Sequence, residues 1–280
     1  MTFSIAGQVG DAFGVAVASK FPFVGAVVPQ ARLGVGAVAS QAMARVAYRE
    51  TALEALAGGA DAAAAVTACT EPDDGRDHRQ LGIVGLDSQA TYTGGQCMSW
   101  AGGVSGREAT GGYAIQGNIL TGREVVAAME QAWLASAGGS LTDRLLAALL
   151  AGDEAGGDSR GRQGAALYAV APGAGYDACG VLADLRVDDH PQAPQELARL
   201  LVINDLMFGV AQEVLPLTGD LAAEVSRRLS TLGHDQDEVS VALAAWAGEA
   251  NYEMRLSPDG IDTLVLAALR EGTSQTGQTG

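Results

Sequence analysis

Lysine is almost missing from this chain. Of its 17 basic residues Lys20 alone is a lysine and the rest are arginine, set against 33 acidic residues and a net charge of −16. A chain this acidic repels phosphate backbones and anionic lipid, so neither nucleic acid nor a membrane surface is an expected partner. Cysteine is scarce too. Cys69, Cys97 and Cys179 are odd in number and lack metal spacing. That argues against a disulfide framework and suits a reducing compartment. Neither His78 nor His190 has a second His or Cys at ligand spacing, so no metal site is expected. No apolar run approaches about 20 residues, and no basic segment leads into an apolar one at the start. The expectation is a cytoplasmic protein without a signal peptide or membrane span. G-x-G-x-x-G, the P-loop and G-x-S-x-G are all absent, and no cofactor is expected.

What is present is apolar and glycine-rich. Hydrophobic residues make up 48% of 280, enough for a sizeable core, and 38 glycines predict many tight turns and close backbone approaches. The first forty residues read as strands: Phe3 to Gly7, Phe13 to Ser19, Val24 to Pro29 and Gly34 to Ser40. Helices follow at Glu50 to Leu56 and, behind an Asp61 cap, at DAAAAVTACT. Leu81 to Leu86 and Ala90 to Thr93 read as a hairpin, and Tyr113 to Gln116 as a short strand. Thr121 to Ala137 reads as a helix with a Thr121/Glu124 capping box, and Ser140 to Leu150 as another. Strands return at Gly164 to Ala171 and Val181 to Val187. Strands in runs followed by paired helices argue for an α+β fold of stacked antiparallel sheets. The stretch HPQAP, 190–194, reads as a boundary. Residues 1–191 form the main domain, 195–271 a small helical appendage, and 272–280 a polar, disordered tail.

The candidate chemistry begins at Thr2. Removal of Met1 would leave a free amine beside a hydroxyl, a nucleophile and its base in one residue. The amine's reference pKa of about 7.7–8.0 lies near working pH. A hairpin of the first two strands would set Ser19 and Lys20 beside Thr2, where Ser19 could hydrogen-bond the amine and Lys20 lower its pKa. Ser40-Gln41 and Gln116-Gly117-Asn118 leave strands and could offer donors to an oxyanion. Asp158, Arg160 and Arg162 enter a strand through a polar loop; they either pair internally or hold polar substrate groups. Against each stands a plainer reading: a common Met-Thr start, a surface lysine, a strand-to-helix turn, a salt-bridge network.

The segments MTFSI, GVAVASKF, VGAVVPQARLGVGAVASQA, DDGRDHRQLGIVGLD, TGGQCMSWAGG, YAIQGNIL, GGDSRGRQGAAL and LADLRVDDHPQAP, in this order, resemble a bacterial and archaeal family. It consists of Ntn-hydrolase-like proteins and is catalogued as domain of unknown function ten twenty-eight. The family tends to carry Ser where Gly164 stands here. The C-terminal segment WAGEANYEMRLSPDGIDTLVLAALRE looks like a peptidoglycan-binding-like extension of some members.

The resemblance implies a four-layer αββα sandwich, the N-terminal-nucleophile hydrolase fold of proteasome β-subunits. It makes Thr2 the nucleophile, flanked by Ser19 and Lys20, with Gln41 at the oxyanion position and Gln116 and Asn118 further along the cleft. The expected function is hydrolysis of a small amide, with Gln41 and Asn118 meeting the oxyanion and Arg160 and Arg162 holding an anionic group. A homo-oligomer, dimer or larger, is expected. The alternatives are a non-catalytic binding module on the same fold and a cell-wall-associated protein acting through the appendage.

Overall fold

The computed structural model describes residues 2–276, which divide into two compact units between Leu201 and Val202. The first unit starts with a hairpin. Strands β1 (Thr2–Val9) and β2 (Ala12–Ser19) turn at Gly10, whose φ of 56° is a left-handed conformation that glycine adopts without strain. Next come α1 (Val24–Val27), β3 (Pro29–Arg32), β4 (Gly36–Ala42), α2 (Ala47–Ala57), α3 (Ala62–Thr70), β5 (Arg79–Gly85) and β6 (Gln89–Thr93). Then follow β7 (Gly102–Glu108), β8 (Gly111–Asn118), α4 (Glu124–Ala135), α5 (Leu141–Glu154), β9 (Gly164–Val170) and β10 (Val181–Val187). Helix α6 (Ala193–Phe208) runs across the division.

The strands form two antiparallel sheets, one in the order β10-β9-β2-β1-β8-β7 and one in the order β3-β4-β5-β6. Successive side chains of a strand point to opposite faces, so each strand feeds two packing layers. Phe3, Ile5, Ile115 and Leu167 face Met129, Trp133, Leu145 and Leu149 of α4 and α5. The alternate residues Ala6, Val15, Val17 and Ala114 face Ala37, Ala39 and Val84 of the smaller sheet. Its outer face, Val38, Leu81 and Ile83, packs on Tyr48, Leu53 and Ala65 of α2 and α3. The sheets are buried on both faces, so their strands read as nearly continuous apolar runs. Helix and sheet approach so closely at Gly7 that a Cβ there would lie 2.8 Å from the Trp133 ring.

Several sequence expectations need correction. Val24 to Pro29 is not one strand: Val24–Val27 is a helical turn, and β3 starts at Pro29. The Thr121/Glu124 capping box does not form; α4 starts at Glu124 behind Arg123, with no side-chain cap. Strand β7 was not anticipated, because GGVSGRE at an exposed edge offers no apolar run. The caps at Asp61 and Ser140 are present, each side-chain oxygen accepting a backbone N–H three residues on.

The second unit is helical as expected, with one short strand pair. After α6 come β11 (Val214–Leu215), α7 (Gly219–Thr231), α8 (Val239–Glu249), β12 (Ile261–Asp262) and α9 (Thr263–Thr276). Val225, Leu229, Leu243, Val265 and Leu269 form its core. A buried Arg255–Asp262 ion pair at 2.9 Å ties the β-pair to the loop before it. Helix α9 includes residues 272–276, which the sequence reading assigned to a disordered tail; 277–280 lie outside the described residues. Among the described residues no helix is long and apolar enough to cross a membrane.

Candidate functional site

The hairpin register sets Phe3 opposite Ala18, so Thr2 meets Ser19 at the end of the strand pair. The two hydroxyls lie 3.1 Å apart and are buried, Thr2 being 6% exposed. Strand periodicity puts Thr2 and Ser4 on the same face as Ala6, toward the smaller sheet. Gln41, Gln80, Gln116 and Asn118 occupy the matching positions of β4, β5 and β8. The space between the sheets is therefore apolar at one end and lined with hydroxyls and amides at the Thr2 end.

These amides bond to one another. Ser4 Oγ donates to Gln41 Oε1 at 2.6 Å and accepts from Gln116 Nε2 at 2.6 Å. Gln80 Oε1 accepts from Gln41 Nε2 at 2.7 Å and from Asn118 Nδ2 at 3.0 Å. Gln80 Nε2 donates to the Gly117 carbonyl at 2.7 Å. Gln41 Nε2 and Asn118 Nδ2 also reach the Thr2 carbonyl, at 3.2 and 3.5 Å. The amides of Gln41 and Asn118 are thus engaged inside the protein, holding the backbone of Thr2. Gln80 and Ser4, central to the network, were not singled out from the sequence. The available signal was parity: each is polar at an inward position of an apolar strand.

Gly82 completes the floor. A Cβ there would lie 2.1 Å from Gln116 Oε1, and the Gln116 amide cannot swing away without abandoning Ser4. Gly82→Ala is expected to cost about 2–3 kcal/mol of stability by overpacking. Gly95→Ala, where a Cβ meets nothing within 4 Å, is the control and should stay within about 0.5 kcal/mol. Urea unfolding midpoints of the two variants decide the matter; equal midpoints would show that the amide yields freely.

The backbone is strained beside two of these residues. Ala42, after Gln41, has φ 69°, and Ile119, after Asn118, has φ 51°. Left-handed backbone is costly for a β-branched residue. Ile119 is held there by its N–H to the Met98 carbonyl at 2.9 Å. Such strain gathers where surrounding structure over-determines a position, often at functional sites.

Beside Ser19 opens a cleft of about 200 Å³, lined by Phe3, Asp153, Glu154, Asp158 and Arg162 among others. Asp158 is buried and accepts the Lys20 backbone N–H at 2.7 Å and the Arg160 N–H at 2.9 Å. Its carboxylate pairs with Arg160 at 3.2 Å, and Asp153 pairs with Arg162 at 2.6 Å. The hydrogen bond that Arg162 donates to Asp153 raises the pKa of the guanidinium above its ordinary value. Both arginines thus already have carboxylate partners. The Lys20 ammonium donates to the Arg162 carbonyl at 3.1 Å. Thr2, Ser19, Gln41, Gln116 and Asn118 come together in one buried cluster, while Asp158 and Arg162 line the adjoining cleft and Lys20 and Arg160 bond to them.

No group of His, Cys, Asp and Glu among the described residues could hold a metal ion. No curated protein matches the chain. A model described as a peptidoglycan binding domain matches residues 210–269. The crystal structure of protein SPO2555 from Silicibacter pomeroyi, itself of the DUF1028 family, superposes with a TM-score of 0.64. It is 30% identical, over 79% of this chain and 88% of that one. The model of DUF1028, a family of unknown function, matches residues 2–197. With that match over most of its length, the chain belongs to the DUF1028 family.

Proposed function

We propose that this chain is an N-terminal-nucleophile amidohydrolase with the αββα fold of that class, using Thr2 after removal of Met1. The contact of Thr2 Oγ1 with Ser19 Oγ, at 3.1 Å beside a polar cleft, carries the reading. The layering of α4 and α5, two sheets, and α2 and α3 agrees with it.

In this mechanism the Thr2 hydroxyl attacks the amide carbonyl while its own α-amine takes the proton. The tetrahedral intermediate collapses, the amine passes its proton to the departing nitrogen, and water then hydrolyses the acyl ester. Ser19 orients the nucleophile. Gln41 and Asn118 hold the Thr2 carbonyl, which makes them positioning residues and not donors to the oxyanion. Lys20 acts on the amine as a charge near the rim, its ammonium fixed by the Arg162 carbonyl.

The test is intact mass, measured on protein made without an N-terminal tag. The expected mass lacks one methionine. A β-lactone, whose ring opens onto a hydroxyl with no leaving group, should then add its full mass to the N-terminal peptide. If Met1 stays on essentially all molecules, the amine is tied up in a peptide bond and the mechanism is gone. The second reading, a non-catalytic binding module, then takes over. One observation favours it: the amides of Gln41 and Asn118 are occupied, so neither is available to an oxyanion.

A further inference from the structure

A second hollow, away from the amide cluster, an open groove of about 360 Å³, lies along the edge of the smaller sheet. The larger sheet has six strands and the smaller four, and the smaller sheet's edge strand β3 faces β2 and β9. Strand β10 lies past that edge. Its inner face carries Asp184 and Arg186, with Tyr168 of β9 opposite Asp184 in register. Arg49 of α2 lines the hollow together with them.

Four side-chain donors there have no acceptor among the described residues. The Arg49 Nη1 group donates to the Ala26 and Pro29 carbonyls, at 2.9 and 3.0 Å, and no described residue accepts from its buried Nε or from Nη2. Arg186 bonds Asp184 through Nε at 3.0 Å and Nη2 at 3.3 Å, leaving Nη1 unused. The Tyr168 hydroxyl has no hydrogen-bond partner among the described residues. The nearby carboxylates are taken, Asp184 by Arg186 and Glu50 by Arg32. Among the described residues Arg49 forms no ion pair. Burial and the facing Arg186 guanidinium together pull its pKa below the ordinary arginine value. A local surplus of positive charge is notable in a chain of net charge −16.

Two guanidinium groups and a phenol around one opening match the oxygens of a small anion. Planar N–H forks recognise carboxylate and phosphate alike. We propose that this hollow is an oxyanion-binding site, taking the phosphate or carboxylate group of a small ligand between Arg49 and Arg186. The bound anion would accept from Arg49 Nη2, Arg186 Nη1 and Tyr168 Oη, and would separate the two like charges.

The test is calorimetric titration of the full chain with inorganic phosphate, and separately with citrate, at constant ionic strength set by chloride. Saturable binding of either anion is expected. Binding of phosphate alone or citrate alone would name the group. Affinity should fall at least tenfold in Arg49→Met and in Arg186→Gln, and several-fold in Tyr168→Phe. Arg186 is half-exposed, so its variant keeps the test open if Arg49→Met fails to fold. Thr2→Ala should bind as the unaltered chain does, which separates this site from the amidohydrolase reading. Absence of saturable binding for both anions, or unchanged affinity in Arg186→Gln, would overturn the proposal.

Discussion

Thr2→Ala is expected to reduce amide hydrolysis by about a thousandfold or more while the protein still folds. Removing a nucleophile removes the covalent path and leaves whatever binding and positioning contribute. Alanine is small, so Met1 should be removed from the variant just as is expected for the original chain. The comparison therefore isolates the hydroxyl. Its structural share is one hydrogen bond to Ser19, worth about 1 kcal/mol. Thr2→Ser keeps the hydroxyl and should keep measurable turnover. For the original chain the rate should rise with pH through the pKa of the α-amine, because the base acts only when neutral. An extended N-terminus that cannot be removed should be as inactive as Thr2→Ala. Activity that survives in Thr2→Ala would end the Thr2 mechanism.

The geometry behind that experiment was partly legible in the sequence. Two apolar alternating runs around Gly10-Asp11 suffice to predict the hairpin, and the hairpin alone brings Thr2 to Ser19. The turn geometry of Lys20 was likewise accessible, but not the destination of its long side chain. Flexible side chains settle on acceptors supplied by distant segments, here the Arg162 carbonyl. The pairing of Arg160 and Arg162 with Asp158 and Asp153 was one of two readings a charge-rich loop allows. The amide cluster was half visible. Gln41, Gln116 and Asn118 stand at strand ends, where polar residues draw notice. Ser4 sits inside an apolar run that reads as plain core, and Gln80, after Arg79, lies just outside the Leu81 to Leu86 strand read from the sequence.

The errors in the elements have local causes. VGAV between Phe23 and Val28 is too short for periodicity to separate a helical turn from a strand. At the start of α4 the Thr121 pattern fits a capping box by spacing. The helix nevertheless begins only at Glu124, after the Gly122-Arg123 pair. Thr121 instead gives its N–H to the Gly157 carbonyl, a partner over thirty residues away. Tertiary pairing decided the helix start there, and no local reading could have found it.

Arg144→Ala is expected to destabilise the first unit by about 2–5 kcal/mol, the range for truncating a long buried side chain to alanine. Nothing in the sequence marks Arg144: it is one of 17 basic residues, in a helix of ordinary composition. In the fold its side chain is fully buried. It pairs with Glu108 of β7 at 2.5 Å and donates to the Trp133 carbonyl of α4 at 2.8 Å. Its guanidinium stacks over the Trp133 ring at 3.9 Å. One side chain thus joins α5, α4 and the edge strand β7. Yet its Nε and Nη1 have no acceptor, so the charge is costly to keep where it is. That imbalance separates two explanations of the loss. Arg144→Met keeps the length and the contact with the ring while removing the unpaired donors. It should cost about 1 kcal/mol or less, since apolar replacement of a buried charge is often neutral or stabilising. Glu108 is partly exposed and can be solvated once its partner is gone. Urea midpoints for the two variants give the answer. Equal losses in Arg144→Ala and Arg144→Met would mean that the ion pair holds β7 to the helices. A recovered midpoint in Arg144→Met would mean that packing against Trp133 does.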